Sequence, residues 1–86
     1  MDSTQGVLKV LDDVLSLQGR AMRFRSDTPL LGGIPELDSM AVVGVITALE
    51  ERFGIAIADD EIDGSAFATV ASLVAFVDGK TRGQST

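Results

Sequence analysis

Asp38-Ser39-Met40-Ala41-Val42-Val43-Gly44-Val45-Ile46-Thr47-Ala48-Leu49-Glu50-Glu51-Arg52-Phe53-Gly54 is the stretch that decides the fold. Val42, Val45, Ile46, Leu49 and Phe53 recur at the 3.6-residue spacing of an amphipathic helix. Gly54 supplies the stop. Ser39 stands where the pattern begins, at the positive end of the expected helix dipole. Upstream, residues 28–36 hold two prolines and two glycines, a loop composition. A hydroxyl is therefore offered at a loop-to-helix junction. Its plainest role is structural: either Ser39 or Asp38 caps the helix.

The other face of this helix is sparsely charged. Met40, Ala41, Gly44, Thr47, Ala48 and Glu51 lie off the stripe, and only Glu51 among them carries a charge. Gly44 in a helix interior costs roughly 0.5–1 kcal/mol relative to alanine. Two readings of it stay open: close approach by a partner, or a small residue tolerated on a surface.

Working outward, residues 7–17 form a first helix with a wide apolar face of Val7, Leu8, Val10, Leu11, Val14, Leu15 and Leu17. Ser3 or Thr4 caps it, Asp12 and Asp13 lie on its outer side, and Gly19 closes it. Residues 19–38 make a long connection carrying Arg20, Arg23 and Arg25. These arginines suit an acidic contact. They read more simply as cations following a helix C-terminus on an otherwise acidic chain. Phe24, Leu30 and Leu31 are expected to pin this loop to the core.

Beyond Gly54, Ile55-Ala56-Ile57 is too short to assign as strand or coil, with Ile57 expected inward. Asp59-Asp60-Glu61-Ile62-Asp63 reads as one acidic helical turn. Asp59, Glu61, Asp63 and Gly64 fit the first positions of a calcium loop. Position twelve, however, is Val70, where a bidentate glutamate is needed, so no metal site is expected. Thr69 caps a last helix with Val70, Leu73, Val74 and Val77 on one face. Gly79 is expected to end that helix, leaving residues 80–86 as a mobile tail.

The whole, residues 1–86, is expected to be a single all-α domain. Its architecture is a four-helix bundle of three main helices plus one short one, with a long first loop.

Composition narrows the function. Six net negative charges argue against nucleic acid, whose phosphates demand a basic surface. With no Cys and no His, structural zinc, thiol catalysis and imidazole acid–base chemistry are not available from the chain's own side chains. No catalytic residue is therefore assigned, and the chain is not expected to be an enzyme. No signal peptide or run long enough to cross a bilayer is seen, so a cytoplasmic monomer without membrane contact is expected.

The chain resembles the acyl carrier protein family. The resemblance rests on Leu31-Gly32 followed by Asp38-Ser39-Met40, on Leu49-Glu50-Glu51-Arg52-Phe53-Gly54, on Ile55-Ala56-Ile57, and on the acidic run from Asp59. It covers roughly residues 7–77. It implies a 4′-phosphopantetheine arm joined to the Ser39 oxygen through a phosphodiester, making the chain a phosphoprotein. The arm's thiol would carry an acyl group as a thioester, for fatty acid, polyketide or related biosynthesis.

Implied partners are a phosphopantetheinyl transferase, an acyl ligase or acyltransferase, and downstream biosynthetic enzymes. Residues 30–53 are also similar to stand-alone carriers encoded beside AMP-forming acyl ligases. Asp38, Met40, Ala41, Gly44, Thr47, Ala48 and Glu51 become candidates for partner docking. Val45, Ile46 and Leu49 become candidates for lining an acyl pocket. Family members usually carry more carboxylates on this helix face, so Ala41 and Gly44 point to a more apolar partner surface. The alternative is a cofactor-free helical interaction module that uses the same face as a groove.

Overall fold

The spacing of apolar residues from Val7 to Leu15 folds as predicted. In the computed structural model, which describes residues 3–58 and 64–84, α1 spans Thr4–Leu15 and buries Val7, Leu8, Val10, Leu11 and Leu15. It stops earlier than its sequence suggests. Ser16 adopts a left-handed conformation (φ 54°) and its amide donates to the Asp12 carbonyl, which ends the helix. Leu17 is still buried, but from beyond the helix. The apolar pattern ran past the turn because Leu17 fills the core from a different backbone. Gly19, expected as the stop, instead precedes a 3-10 helix, Arg20–Arg23.

Asp12 explains that turn. Its Oδ1 accepts from the Gly19 amide at 2.8 Å and the Ala21 amide at 3.4 Å. The half-buried carboxylate thus gathers the backbone that doubles back under α1, and Ala21 is buried there. This short helix lies in the long first loop. The short acidic turn expected at residues 59–63 lies outside the described residues.

α2 spans Ser39–Phe53 and ends at Gly54, whose φ of 64° favours glycine. α3 spans Val70–Gln84. It runs straight through Gly79, so the helix does not end there and the segment expected as a tail is helical as far as Gln84. Gly79 sits mid-helix, where it is tolerated at a modest penalty rather than acting as a terminator.

Among the described residues there is no β-strand. An isolated bridge joins Pro29 to Thr69, and Ile55-Ala56-Ile57 does not pair as an edge strand. Both isoleucines are buried instead. The Ile57 amide donates to Glu50 Oε2 at 2.8 Å, so a glutamate side chain takes the place of a neighbouring strand.

The first loop is held against the start of α3. The Leu30 and Leu31 amides donate to the carbonyls of Ala68 and Phe67. In return, the Val70 and Ala71 amides donate to the Thr28 and Ser26 carbonyls, and the Ser72 amide donates to Thr69 Oγ1. The predicted Thr69 cap is present, reciprocated by Ser72 Oγ, which accepts from the Thr69 amide at 3.0 Å. At α1 Ser3 holds the cap position, one of the two places expected. Ser3 makes no side-chain capping bond, and its amide and hydroxyl both donate to Asp78 Oδ1 of α3.

Leu30 is fully buried and Phe24 half-buried, as a pinned loop requires, whereas Leu31 is exposed. Leu37 is buried in its place. The core therefore combines three helices with side chains from the loops: Leu17, Leu30, Leu37, Ile55, Ile57 and Phe67. Burying a side chain of that size contributes roughly 1.5–3 kcal/mol. The loops are thus structural members of the fold, and the first of them sets where Ser39 emerges.

Candidate functional site

Leu30 and Leu37 fix the two ends of the segment leading to α2. Between them the backbone coils tightly: the Gly33 and Ile34 amides donate to the Leu30 carbonyl, and the Leu37 amide donates to the Ile34 carbonyl. Gly32 takes a φ of 85°, and a Cβ on Gly33 would stand 2.6 Å from the Pro29 carbonyl oxygen. The glycine pair is what permits this turn.

Asp38 then extends the chain (φ −104°, ψ −175°) and caps the helix, its Oδ1 accepting from the Ala41 amide at 2.8 Å. The question left open by the sequence is answered here. Asp38 is the cap, and Ser39 is the first helical residue. The Asp38 carbonyl accepts from the Val42 amide. No described residue hydrogen-bonds the Ser39 hydroxyl, and the backbone amides of Ser39 and Met40 are likewise left without a partner among the described residues. Ser39 is exposed. The result is a free hydroxyl beside two free N–H groups at the positive end of a helix of 15 residues. An anionic phosphodiester on this oxygen meets two free amide donors, while the neighbouring Asp38 carboxylate is engaged by the Ala41 amide, and so the residues present fit such a group.

The stripe residues of α2 behave as expected at its centre. Val45 and Leu49 are fully buried and Ile46 is half-buried against the core. The other face divides into two. Met40, Thr47 and Glu51 are exposed. Ala41, Gly44 and Ala48 are not on that open face: Ala41 and Ala48 pack against the core, and a Cβ on Gly44 would lie 3.3 Å from Val14 Cγ1 of α1. Close approach does account for Gly44, but the approaching partner is the chain's own first helix. Sequence periodicity missed this because α2 is packed on two sides, which leaves it little one-sided contrast.

The residue overlooked was Val43. It is 62% exposed, beside Met40 at 81%, and the two form an apolar step one turn along from Ser39. Its position three residues after Met40 and four after Ser39 was a usable signal. Thr47 extends this edge, its hydroxyl donating to the Val43 carbonyl at 3.1 Å.

One charged contact reaches the segment ahead of Ser39. Arg20 Nη2 donates to Glu36 Oε2 at 2.6 Å, and Arg20 Nε donates to the Leu17 carbonyl at 3.2 Å. The Arg20 hydrogen bond holds the Glu36 carboxyl below the usual glutamate range, aided by a backbone hydrogen bond within Glu36. Arg20 thus has a specific partner, while Arg23 and Arg25 are exposed.

Residues 6–77 match the family described as a phosphopantetheine attachment site. The chain is also similar to a holo acyl carrier protein from Nitrosomonas europaea, solved by solution NMR. The two share 49% identity and superpose with a TM-score of 0.88 over 95% of this chain and 99% of that one. No curated protein matches the chain.

Proposed function

Since the chain belongs to the acyl carrier protein family, whose members carry covalent 4′-phosphopantetheine, we propose that Ser39 is the attachment point of that arm. The supporting observation is the state of its hydroxyl: exposed, free of any hydrogen bond to a described residue, and next to the free amides of the α2 start. In the transfer, the Ser39 oxygen forms a bond to the phosphorus bearing the pantetheine of coenzyme A. The pyrophosphate P–O bond of the donor breaks, the nucleotide leaves, and the serine proton passes to a base on the transferase. The arm supplies the thiol that this cysteine-free chain lacks. Family membership makes the chain a carrier rather than an enzyme and decides against the cofactor-free interaction module.

The proposed cargo is an acyl thioester of fatty acid, polyketide or related biosynthesis. A separate acyl ligase or acyltransferase loads it, and downstream enzymes consume it. Val45, Ile46 and Leu49 offer an aliphatic lining for that cargo, with Ile46 the half-exposed entry. Docking is assigned to Met40, Val43 and Thr47, with Asp38 and Glu51 at the rim. Ala41, Gly44 and Ala48 act behind them by seating α2, the two alanines on the core and Gly44 against Val14 of α1. Such a face suits a partner with an apolar contact surface. Met40→Glu should slow loading by the cognate ligase more than Glu51→Gln does, and equal rates would remove docking from this edge. The chain is proposed to act as a cytoplasmic monomer. Among the described residues no helix is long and apolar enough to cross a membrane.

Intact mass after incubation with coenzyme A and a broad-specificity phosphopantetheinyl transferase tests the attachment point. One phosphopantetheinyl group is expected on the wild-type chain and none on Ser39→Ala. A modified Ser39→Ala protein would place the arm elsewhere.

A further inference from the structure

Residues 31–36 run between the buried Leu30 and Leu37 and deliver Asp38 and Ser39 to the helix start. Backbone hydrogen bonds coil them, but their side chains bury little. Leu31, Gly32, Gly33, Pro35 and Glu36 are exposed, and Ile34 is half-buried. Between this segment and the stretch around the 3-10 helix lies a hollow of about 240 Å³, walled by Leu17, Phe24, Pro29, Ile34 and Pro35. Arg20 crosses it. Its guanidinium holds the Leu17 carbonyl on one side and the Glu36 carboxylate on the other. The Glu36 carbonyl in turn accepts from the Asp38 amide at 3.2 Å, and Asp38 caps α2. A continuous series of hydrogen bonds therefore links the exit of α1 to the residue before Ser39.

We propose that Arg20 is a positioning residue for Ser39: by clamping Glu36 across the hollow, it holds the approach segment in the one arrangement that presents the serine hydroxyl to a transferase. This rests on the assignment of the arm to Ser39. Global stability depends little on the clamp, because both partners are solvent-exposed and such pairs add little to folding. Its effect is local order in a segment that has a hollow behind it. A preorganised acceptor spares the transferase the task of ordering it during encounter.

The test compares Arg20→Gln, Arg23→Gln and the reciprocal swap Arg20→Glu with Glu36→Arg, all in the full chain. Two quantities are read: kcat/KM for modification by a broad-specificity transferase with coenzyme A, and backbone amide relaxation of residues 31–39. For Arg20→Gln, kcat/KM should fall about two- to fivefold, mostly through KM, as for loss of one exposed charge contact. Motion of residues 31–39 should rise while the melting temperature barely moves. Arg23→Gln removes the same charge from an exposed neighbour without touching the clamp, and it should match wild type. The swap should recover both rate and order.

Wild-type rate and relaxation in Arg20→Gln would overturn the proposal. So would an equal loss in Arg23→Gln, which would mean general charge attraction, or a swap that rescues nothing. A wild-type chain that takes no group at Ser39 would instead overturn the assignment underneath, and mass analysis separates that failure from the others.

Discussion

Asp38→Ala and Ser39→Ala alter neighbouring residues at one helix start, yet the structure gives them opposite consequences. Asp38 Oδ1 accepts from the Ala41 amide at 2.8 Å, and removing it leaves that donor uncapped. Loss of an aspartate cap costs about 0.5–2 kcal/mol, with about 1 typical. In a domain of this size 1 kcal/mol shifts the melting temperature by roughly 4–8 °C. Asp38→Ala should therefore melt about 4–8 °C below wild type, and Asp38→Asn, which keeps an accepting oxygen, should recover most of the loss. Ser39→Ala removes a hydroxyl that bonds no described residue and places a good helix former at the first helical position. Its stability should stay within about 0.5 kcal/mol of wild type. Thermal melts by circular dichroism at 222 nm, together with intact mass after transferase treatment, separate the two roles. The reasoning fails if Ser39→Ala is destabilised as much as Asp38→Ala, or if Asp38→Asn gives no recovery.

Two further outcomes follow from the same structure. Gly79 lies inside α3, and nothing stands within 4 Å of where a Cβ would be. Gly79→Ala should raise stability by roughly 0.5–1 kcal/mol in urea denaturation, and a loss would mean the helix is interrupted there. For Glu36, the folded carboxyl titrates below its unfolded value, so its contribution is present above the ordinary glutamate range and is lost as pH falls through the lowered value. NMR titration should show Glu36 depressed in wild type and returned upward in Arg20→Gln. A Glu36 titration indifferent to Arg20 would refute that cause.

Much of this was legible because local chemistry agreed with the final packing. The α2 limits at Ser39 and Gly54, the Thr69 cap and the inward side of α1 all follow from periodicity and capping residues. What escaped depended on partners distant in sequence. Nothing near Gly44 announces Val14, thirty positions away along the chain, as the atom it accommodates. Asp12 was expected on the outer side of its helix but serves, as does Glu50, as an acceptor for backbone amides that have no helix or strand neighbour. Ser16 ended α1 in a left-handed conformation that glycine more often supplies, which is why Gly19 was the natural but incorrect stop.

The hydrogen bonding of the serines has a consequence for selectivity. Ser3, at the entry to α1, already gives its hydroxyl to Asp78. Ser72, in the first turn of α3, spends its hydroxyl on the carbonyls of Ala66 and Thr69, and the leading amides of that helix are taken by Thr28 and Ser26. A modifying enzyme thus meets three serines at helix entrances that look alike in sequence, and two are already engaged by the fold. Discrimination need not be encoded wholly in the enzyme's contacts. Among these three helix entrances the carrier narrows the choice beforehand, by leaving only the Ser39 hydroxyl, with its pair of unspoken-for amides, open to the outside.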